Sequence, residues 1–424
     1  MHSAVGQKAA SRWRQLMTLG LRYGGAMAGP VLISVAHFAA LLLLLRTLPP
    51  QQFGLFSFIL VIVQFCFGLS NALAGTPFTL RANQKAYAGE DDALFFQANG
   101  ILSLAAGALC GGAAFLMGEH EAAALFGLYA GFAVLRWFWR SFFYALHKPN
   151  RAIWSDVAYA VILLAGLGVA WMYGPTLTKA VLAFCAAAGA ALVCCGLSIA
   201  VRQISAFTVG RLKAYGSVWH AQSRWTLLGV VTTEATANSH AWLVTLIAGP
   251  AAFAPLAAAS LFFRPVSLCV TSLTQLERPI MARALANGEP RRALQIMVQF
   301  RAALVAAWGA TVIAALAVLN WWPSVVIGNK YELATVVTGV ALWALVYLSQ
   351  VWRTPDSVFL QADNRFGALA KASVVSAVVS ISIVALLILF VDPVLSLLGI
   401  LAGQIVMAVR ISVLLKTWKV DHGT

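Results

Sequence analysis

Twelve apolar runs, each close to twenty residues long, partition this chain, and no water-soluble fold can bury them all. A helical residue rises about 1.5 Å, so about 20 apolar residues span the hydrocarbon core of a bilayer. Inside lipid, backbone N–H and C=O groups must be satisfied internally, and a helix does this within one segment. The runs lie at 24–46, 53–74, 94–117, 122–146, 152–174 and 177–201, then at 225–248, 251–275, 294–319, 332–352, 366–391 and 394–416. They predict an all-α polytopic membrane protein of about twelve transmembrane helices. Composition agrees: 61% of the 424 residues are hydrophobic and 10% are charged, against about 25% charged in a soluble domain.

The net charge of +15 would suggest a nucleic-acid partner in a soluble protein. Here the cations sit between apolar runs, so they report orientation instead, and no nucleic acid is expected. With the N-terminus inside, only Arg46, Lys179 and Lys330 fall in the outer loops, while the other Lys and Arg lie in inner loops, at the termini or within helices. That asymmetry places both termini in the cytoplasm. The first run follows Lys8, Arg12, Arg14 and Arg22, as a signal peptide would. It is too long and lacks a small-residue cleavage site, so it reads as a first spanning helix. Trp321 and Trp322 before Pro323 fit an interfacial aromatic position.

The sequence also repeats itself. Pro50-Gln51-Gln52-Phe53-Gly54 opens the second run, and Pro250-Ala251-Ala252-Phe253-Ala254 opens the eighth. Pro77 and Arg81 match Pro279 and Arg283. Gly89-Glu90 with Ala93-Leu94 matches Gly288-Glu289 with Ala293-Leu294. Arg140 before Asn150-Arg151 matches Arg353 before Asn364-Arg365. Their common order at a nearly constant offset predicts two repeat units. Six helices per unit is an even number, so both units enter the membrane alike, related by an axis along its normal. The expected organisation is an N-terminal lobe at 1–201, a cytoplasmic linker at 202–224 and a C-terminal lobe at 225–424, with a cavity between the two six-helix bundles.

Three stretches then resemble a known family. Arg46-Thr47-Leu48-Pro49-Pro50-Gln51-Gln52-Phe53-Gly54-Leu55-Phe56 is similar to the start of the second helix in polysaccharide (O-antigen-type) flippases of the multidrug/oligosaccharidyl-lipid/polysaccharide exporter superfamily. Gly328-Asn329-Lys330-Tyr331-Glu332-Leu333-Ala334 is similar to that family's glycine-x-x-aromatic signal before helix ten, and Phe263-Arg264-Pro265 through Pro279 to its helix eight. The resemblance implies a V-shaped pair of bundles in a bacterial inner membrane. It implies a flippase that moves an undecaprenyl-pyrophosphate-linked oligosaccharide by alternating access, with the lipid bilayer and polysaccharide assembly proteins as partners. Two other functions stay open: an ion-coupled drug or metabolite antiporter of the same superfamily, and a membrane polysaccharide polymerase.

No catalytic constellation, metal spacing or phosphate-binding glycine loop occurs, so neither an enzyme nor a cofactor is expected. Cys66, Cys110, Cys185, Cys194, Cys195 and Cys269 all lie in apolar runs and predict neither a disulfide nor a metal site. Ionisable residues within a spanning helix are costly, which makes them functional candidates. Arg264 falls near the middle of helix eight, and its repeat counterpart is Gln64. Its guanidinium suits phosphate oxygens. Glu234 lies about 14 Å into helix seven, at a depth similar to Arg264, and is a candidate for charge tuning or proton uptake. Arg136 and Arg140, four apart on one helix face, and Arg353 at the end of helix ten are candidates for a basic ring that admits an anionic head group. Snorkelling to the interface is the competing explanation. Asp156 is either a coupling acid or an acid favoured by its place near a helix N-terminus. His37 and His240 read as neutral and hydrogen-bonded. Glu90, Asp91 and Asp92 form an acidic helix-start signal. Gly24, Gly25, Gly29, Pro30, Pro255 and Pro265 mark bending points or close packing.

Overall fold

The computed structural model describes residue 29 and residues 31–82, 92–146, 148–209, 214–323 and 330–421. Prolines start many of its helices, because the first turn needs no backbone N–H and proline already holds a helical φ. The helices are α1 (Val31–Thr47), α2 (Pro50–Ala82), α3 (Asp92–Leu116), α4 (His120–Ala145), α5 (Pro149–Met172) and α6 (Leu177–Cys195). A shorter helix, α7 (Leu197–Val209), follows. The second half holds α8 (Arg224–Ala248), α9 (Pro250–Leu261), α10 (Arg264–Ala286), α11 (Pro290–Trp321), α12 (Leu333–Ala362), α13 (Phe366–Phe390) and α14 (Ser396–Asp421). No strand occurs among the described residues.

Nine of these helices are long and apolar enough to cross a membrane, and the bent pair α9–α10 makes a tenth. The remaining two expected spans are α1, described from residue 31, and α8, which is less apolar. The polar face of α8 has a physical reason. Ser373 of α13 donates to Thr232 Oγ1 at 2.9 Å, and Ser376 and Ser380 lie against Thr236. Small hydroxyl residues let two helices approach closely in lipid and bond across the contact.

The fold is that of two repeat halves. In the first, α3 packs on α4 and α5 on α6. In the second, α10 packs on α11 and α13 on α14. Glycines permit the tightest contacts: Gly107 of α3 lies against the backbone of Gly127 in α4, where a Cβ on either would crowd the other's carbonyl. An aromatic cluster of Phe78, Phe95, Phe96, Phe138 and Phe142 ties α2, α3 and α4 together where α2 ends. The exposed apolar residues, among them Leu104, Ile313 and Phe390, form the lipid-facing surface of such a bundle.

The halves meet along α2, which runs against α8 and α9. Gly54 of α2 sits so close to the Pro250 carbonyl that any Cβ there would collide with it. Phe58 and Phe65 of α2 hold Trp242 of α8 edge-on, with centroids 5.3 and 6.1 Å apart. The end where α2 and α9 begin is called the proline end here, and the opposite one the basic end.

Several boundaries differ from expectation. The sixth span stops at Cys195, because Gly196 takes φ 99°, a conformation open to glycine, and α7 restarts beyond it. The presumed linker start at 202 therefore falls inside α7, and Val218 within 202–224 joins the aromatic cluster of the first half. The tenth span runs on to Ala362 with Pro355 inside it. The eighth is two helices bent by 60°. Lys8, Arg12, Arg14, Arg22, Gly24, Gly25, Pro30, Gly89, Glu90, Asp91, Arg211, Lys213, Gly328 and Asn329 lie outside the described residues.

Candidate functional site

Asp156 is the fully buried centre of the first half's polar site. It lies about two turns into α5, too far along to be explained by the helix start. Arg136 Nη2 donates to its Oδ1 at 2.5 Å, and Arg140 Nε to its Oδ2 at 2.9 Å. Arg136 Nε also donates to Ser155 Oγ at 3.2 Å, and Ser155 passes a bond on to the Ala191 carbonyl of α6. The Arg136 guanidinium lies over the Tyr159 ring, 4.7 Å from its centroid. Gly29 covers the carboxylate, where a Cβ would strike it. Two arginines one turn apart on α4 thus share one carboxylate on α5. Burying an unpaired charge costs several kcal/mol, and this clamp meets that cost locally.

The basic ring expected from Arg136 and Arg140 is therefore mostly committed to Asp156. Arg140 retains an outer face over Trp137 and Tyr144, at 5.8 and 5.4 Å. Trp137 in turn stacks on Phe67 at 4.5 Å and donates to Asn71 at 3.0 Å. Asn71 opens a π-helical turn, Asn71–Gly75, within α2. Such turns recur at functional sites.

Arg264 is not in the middle of a continuous helix. It is the first residue of α10, directly after the break at Phe262 and Phe263, with Pro265 next. Proline has no N–H to return to the preceding turn, so the helix starts afresh there. Phe263 stacks on Tyr347 of α12 at 5.2 Å, which holds the break against the second half. Among the described residues Arg264 makes no ion pair and no side-chain hydrogen bond. Arg264 and Glu234 do not pair. Glu234 instead accepts from Asn238 one turn on, at 2.6 Å.

Arg353 donates from Nε to the buried Gln404 of α14 at 2.7 Å and has no acidic partner among the described residues. It does not end its helix, since α12 continues for about two and a half turns more. Gln64 is exposed on α2. His37 bonds to the Tyr159 hydroxyl at 2.8 Å, stacks on the Tyr159 ring and meets Phe184 edge-on. His240 departs from expectation: its Nδ1 is buried with no protein partner, and its ring packs between Trp343 and Phe253. Asp92 starts α3 and pairs with Arg202 at 2.8 Å.

Sequence reasoning missed one charged pair. Arg301 of α11 and Asp356 of α12 form a salt bridge, and Arg301 also lies over Trp352. A signal was present: an acid and a base lie close within two consecutive helices. Ending the tenth span at residue 352 left Asp356 outside it.

No protein-family sequence model and no curated protein sequence matches the chain. Solved structures do match its fold. A multidrug resistance MATE family transporter of the MOP superfamily in an inward-facing conformation gives a TM-score of 0.66 at 14% identity, covering 93% of this chain and 99% of the other. An outward-facing conformation of such a transporter gives 0.57 at 13%, covering 92% and 95%. Lipid II flippase MurJ in an inward closed conformation gives 0.63 at 10%, covering 92% and 87%. The chain is similar to all three over nearly its whole length, and it has their fold of two repeat halves.

Proposed function

We propose that this protein is a membrane transporter of the flippase kind, moving a lipid-linked oligosaccharide of the undecaprenyl-pyrophosphate type by alternating access. Arg264 carries the reading. It is a cation at a helix break inside the membrane fold, and no acid among the described residues neutralises it. Such a charge is retained at a cost, and an anionic head group supplies what it lacks. Arg353 is a second cation without an acidic partner among the described residues. Arg136 and Arg140 are held by Asp156 and act in this reading as positioned cations, with the outer face of Arg140 turned to the head group. The polyprenyl tail stays in the bilayer while the polar head crosses between the halves. The MurJ likeness supports a lipid-linked substrate, and the absence of a catalytic constellation supports transport over polymerisation.

The test is translocation of a labelled lipid-linked saccharide in proteoliposomes, with polymer export in cells as a second readout. Arg264→Ala is expected to reduce translocation about tenfold to hundredfold, the range for one charge-assisted bond to phosphate, with Arg264→Lys in between. Full translocation by Arg264→Ala at normal expression would overturn the head-group role.

One observation favours a second reading. Glu234 is an acid on a spanning helix with an amide partner and no cation partner among the described residues, as an ion-coupled antiporter of the same fold requires. Uptake of a labelled organic cation driven by a pH gradient, and lost in Glu234→Gln, would support it over the flippase.

A further inference from the structure

The two halves are fastened to each other at the proline end, and the fastening is built from parts of opposite kind. α1 ends at Thr47, so its last carbonyls have no intrahelical partner and carry the negative end of the helix dipole. Lys330 comes from the other half, just before α12. Its Nζ donates to the Arg46 carbonyl at 2.8 Å and the Leu48 carbonyl at 3.0 Å. One ammonium from the second half thus caps the last turn of a helix in the first.

Below this cap, α2 and α9 start side by side at Pro50 and Pro250, with Gly54 seated on the Pro250 carbonyl. Beyond Leu261 the helix turns by 60°, and its α10 part no longer follows α2. The halves are therefore joined directly at the proline end, and while α10 turns away, α8 stays against α2 as far as Gly68 and the Asn71–Gly75 turn. Under the alternating-access function proposed above, on which this inference rests, the proline end must separate. The Gly54 seat is a packing contact that slides or parts without leaving an unsatisfied group. The Lys330 cap is different, because it is a pair of directed bonds between the halves, and parting breaks both of them.

We propose that Lys330 is a gating residue, whose ammonium latches the end of α1 and sets how often the proline end opens. A lysine suits this role: it offers three rotatable donors on a flexible stem, so it holds two carbonyls and releases them without moving the backbone. The inference does not depend on what the substrate is.

The latch is tested on the full-length protein in lipid nanodiscs, without substrate, in a background where the native cysteines are replaced. Spin labels at Glu121→Cys and Ala251→Cys report the separation of the halves at the proline end. The unmodified latch is expected to give a mainly short distance. Lys330→Met is expected to raise the ratio of long to short distances about twofold to fivefold, the size of one lost solvent-exposed charged contact. Lys330→Arg, which still donates to carbonyls, is expected to restore the short distance. An unchanged distribution in folded, monodisperse Lys330→Met overturns the proposal. If that variant does not fold, Lys330→Gln is read in its place, with an intermediate shift expected and no shift overturning the idea. Conversely, bridging Thr47→Cys to Lys330→Cys with a short bis-maleimide is expected to abolish the long distance, and its persistence would also overturn the latch.

Discussion

Asp156 and Arg264 are opposite solutions to one problem, a charge inside a membrane fold. Asp156 is enclosed by two guanidiniums and a hydroxyl-bearing turn. Arg264 has no such company. The two sites should therefore fail differently. Asp156→Asn leaves Arg136 buried without its counter-charge and is expected to destabilise the protein by about 3–5 kcal/mol, the cost of breaking a buried pair. Thermal unfolding in detergent should show a clear fall in Tm. Arg264→Ala removes no ion pair and should leave the Tm close to wild type while translocation falls. If Arg264→Ala unfolds the protein as readily as Asp156→Asn does, Arg264 is a structural residue. Sequence alone gave the identity of both residues but not this contrast. Arg136 and Arg140 share a helix face, which is legible from their spacing. That the acid at 156 returns to the same depth on the next helix depends on where the turn between α4 and α5 falls, which only the folded hairpin sets.

At the scale of elements, helix existence was legible throughout, because hydrocarbon leaves the backbone no alternative to helix. Helix interruption was not. The break at Phe262–Phe263, the π-helical turn at Asn71 and the stop at Gly196 depend on local hydrogen bonding that hydropathy does not register. Pro265 hinted at the first, and Pro77, just beyond the second, at the other. The α2–α9 crossing gives the sharpest element-level prediction. Gly54 leaves no room for a side chain against the Pro250 carbonyl. Gly54→Val is expected to cost about 1–3 kcal/mol by overpacking and to wedge the proline end apart. The measurement is the same pair of spin labels at Glu121→Cys and Ala251→Cys. Gly112, which has open space around it, serves as a control: Gly112→Ala should change neither distance nor stability by much. A Gly54→Val protein with wild-type distances and stability would mean that α2 and α9 shift freely past each other, and the seat would then not define the closed end.

For the whole molecule, the repeat and the charge asymmetry together fix more than either does alone. Two halves of like order, each with an even number of crossings, must put their matching ends on the same side of the bilayer. The structure has the two halves, with Pro50 and Pro250 together at one end. Arg81 and Arg283 close the last turns of α2's terminal segment and of α10, away from the proline end. The positive-inside rule then predicts that the basic end faces the cytoplasm, since Lys330 and Lys179 are among the few cations at the other. Single cysteines in a background lacking the native six test this directly. Glu121→Cys, at the proline end, is expected to react with a membrane-impermeant maleimide in intact cells. Asn287→Cys and Asp363→Cys, in the turns after α10 and α12, are expected to react only after permeabilisation. The reverse pattern would invert the molecule and turn the Lys330 latch into an inner gate. Labelling of all three from outside would mean that the chain does not keep one orientation, against a charge bias this strong.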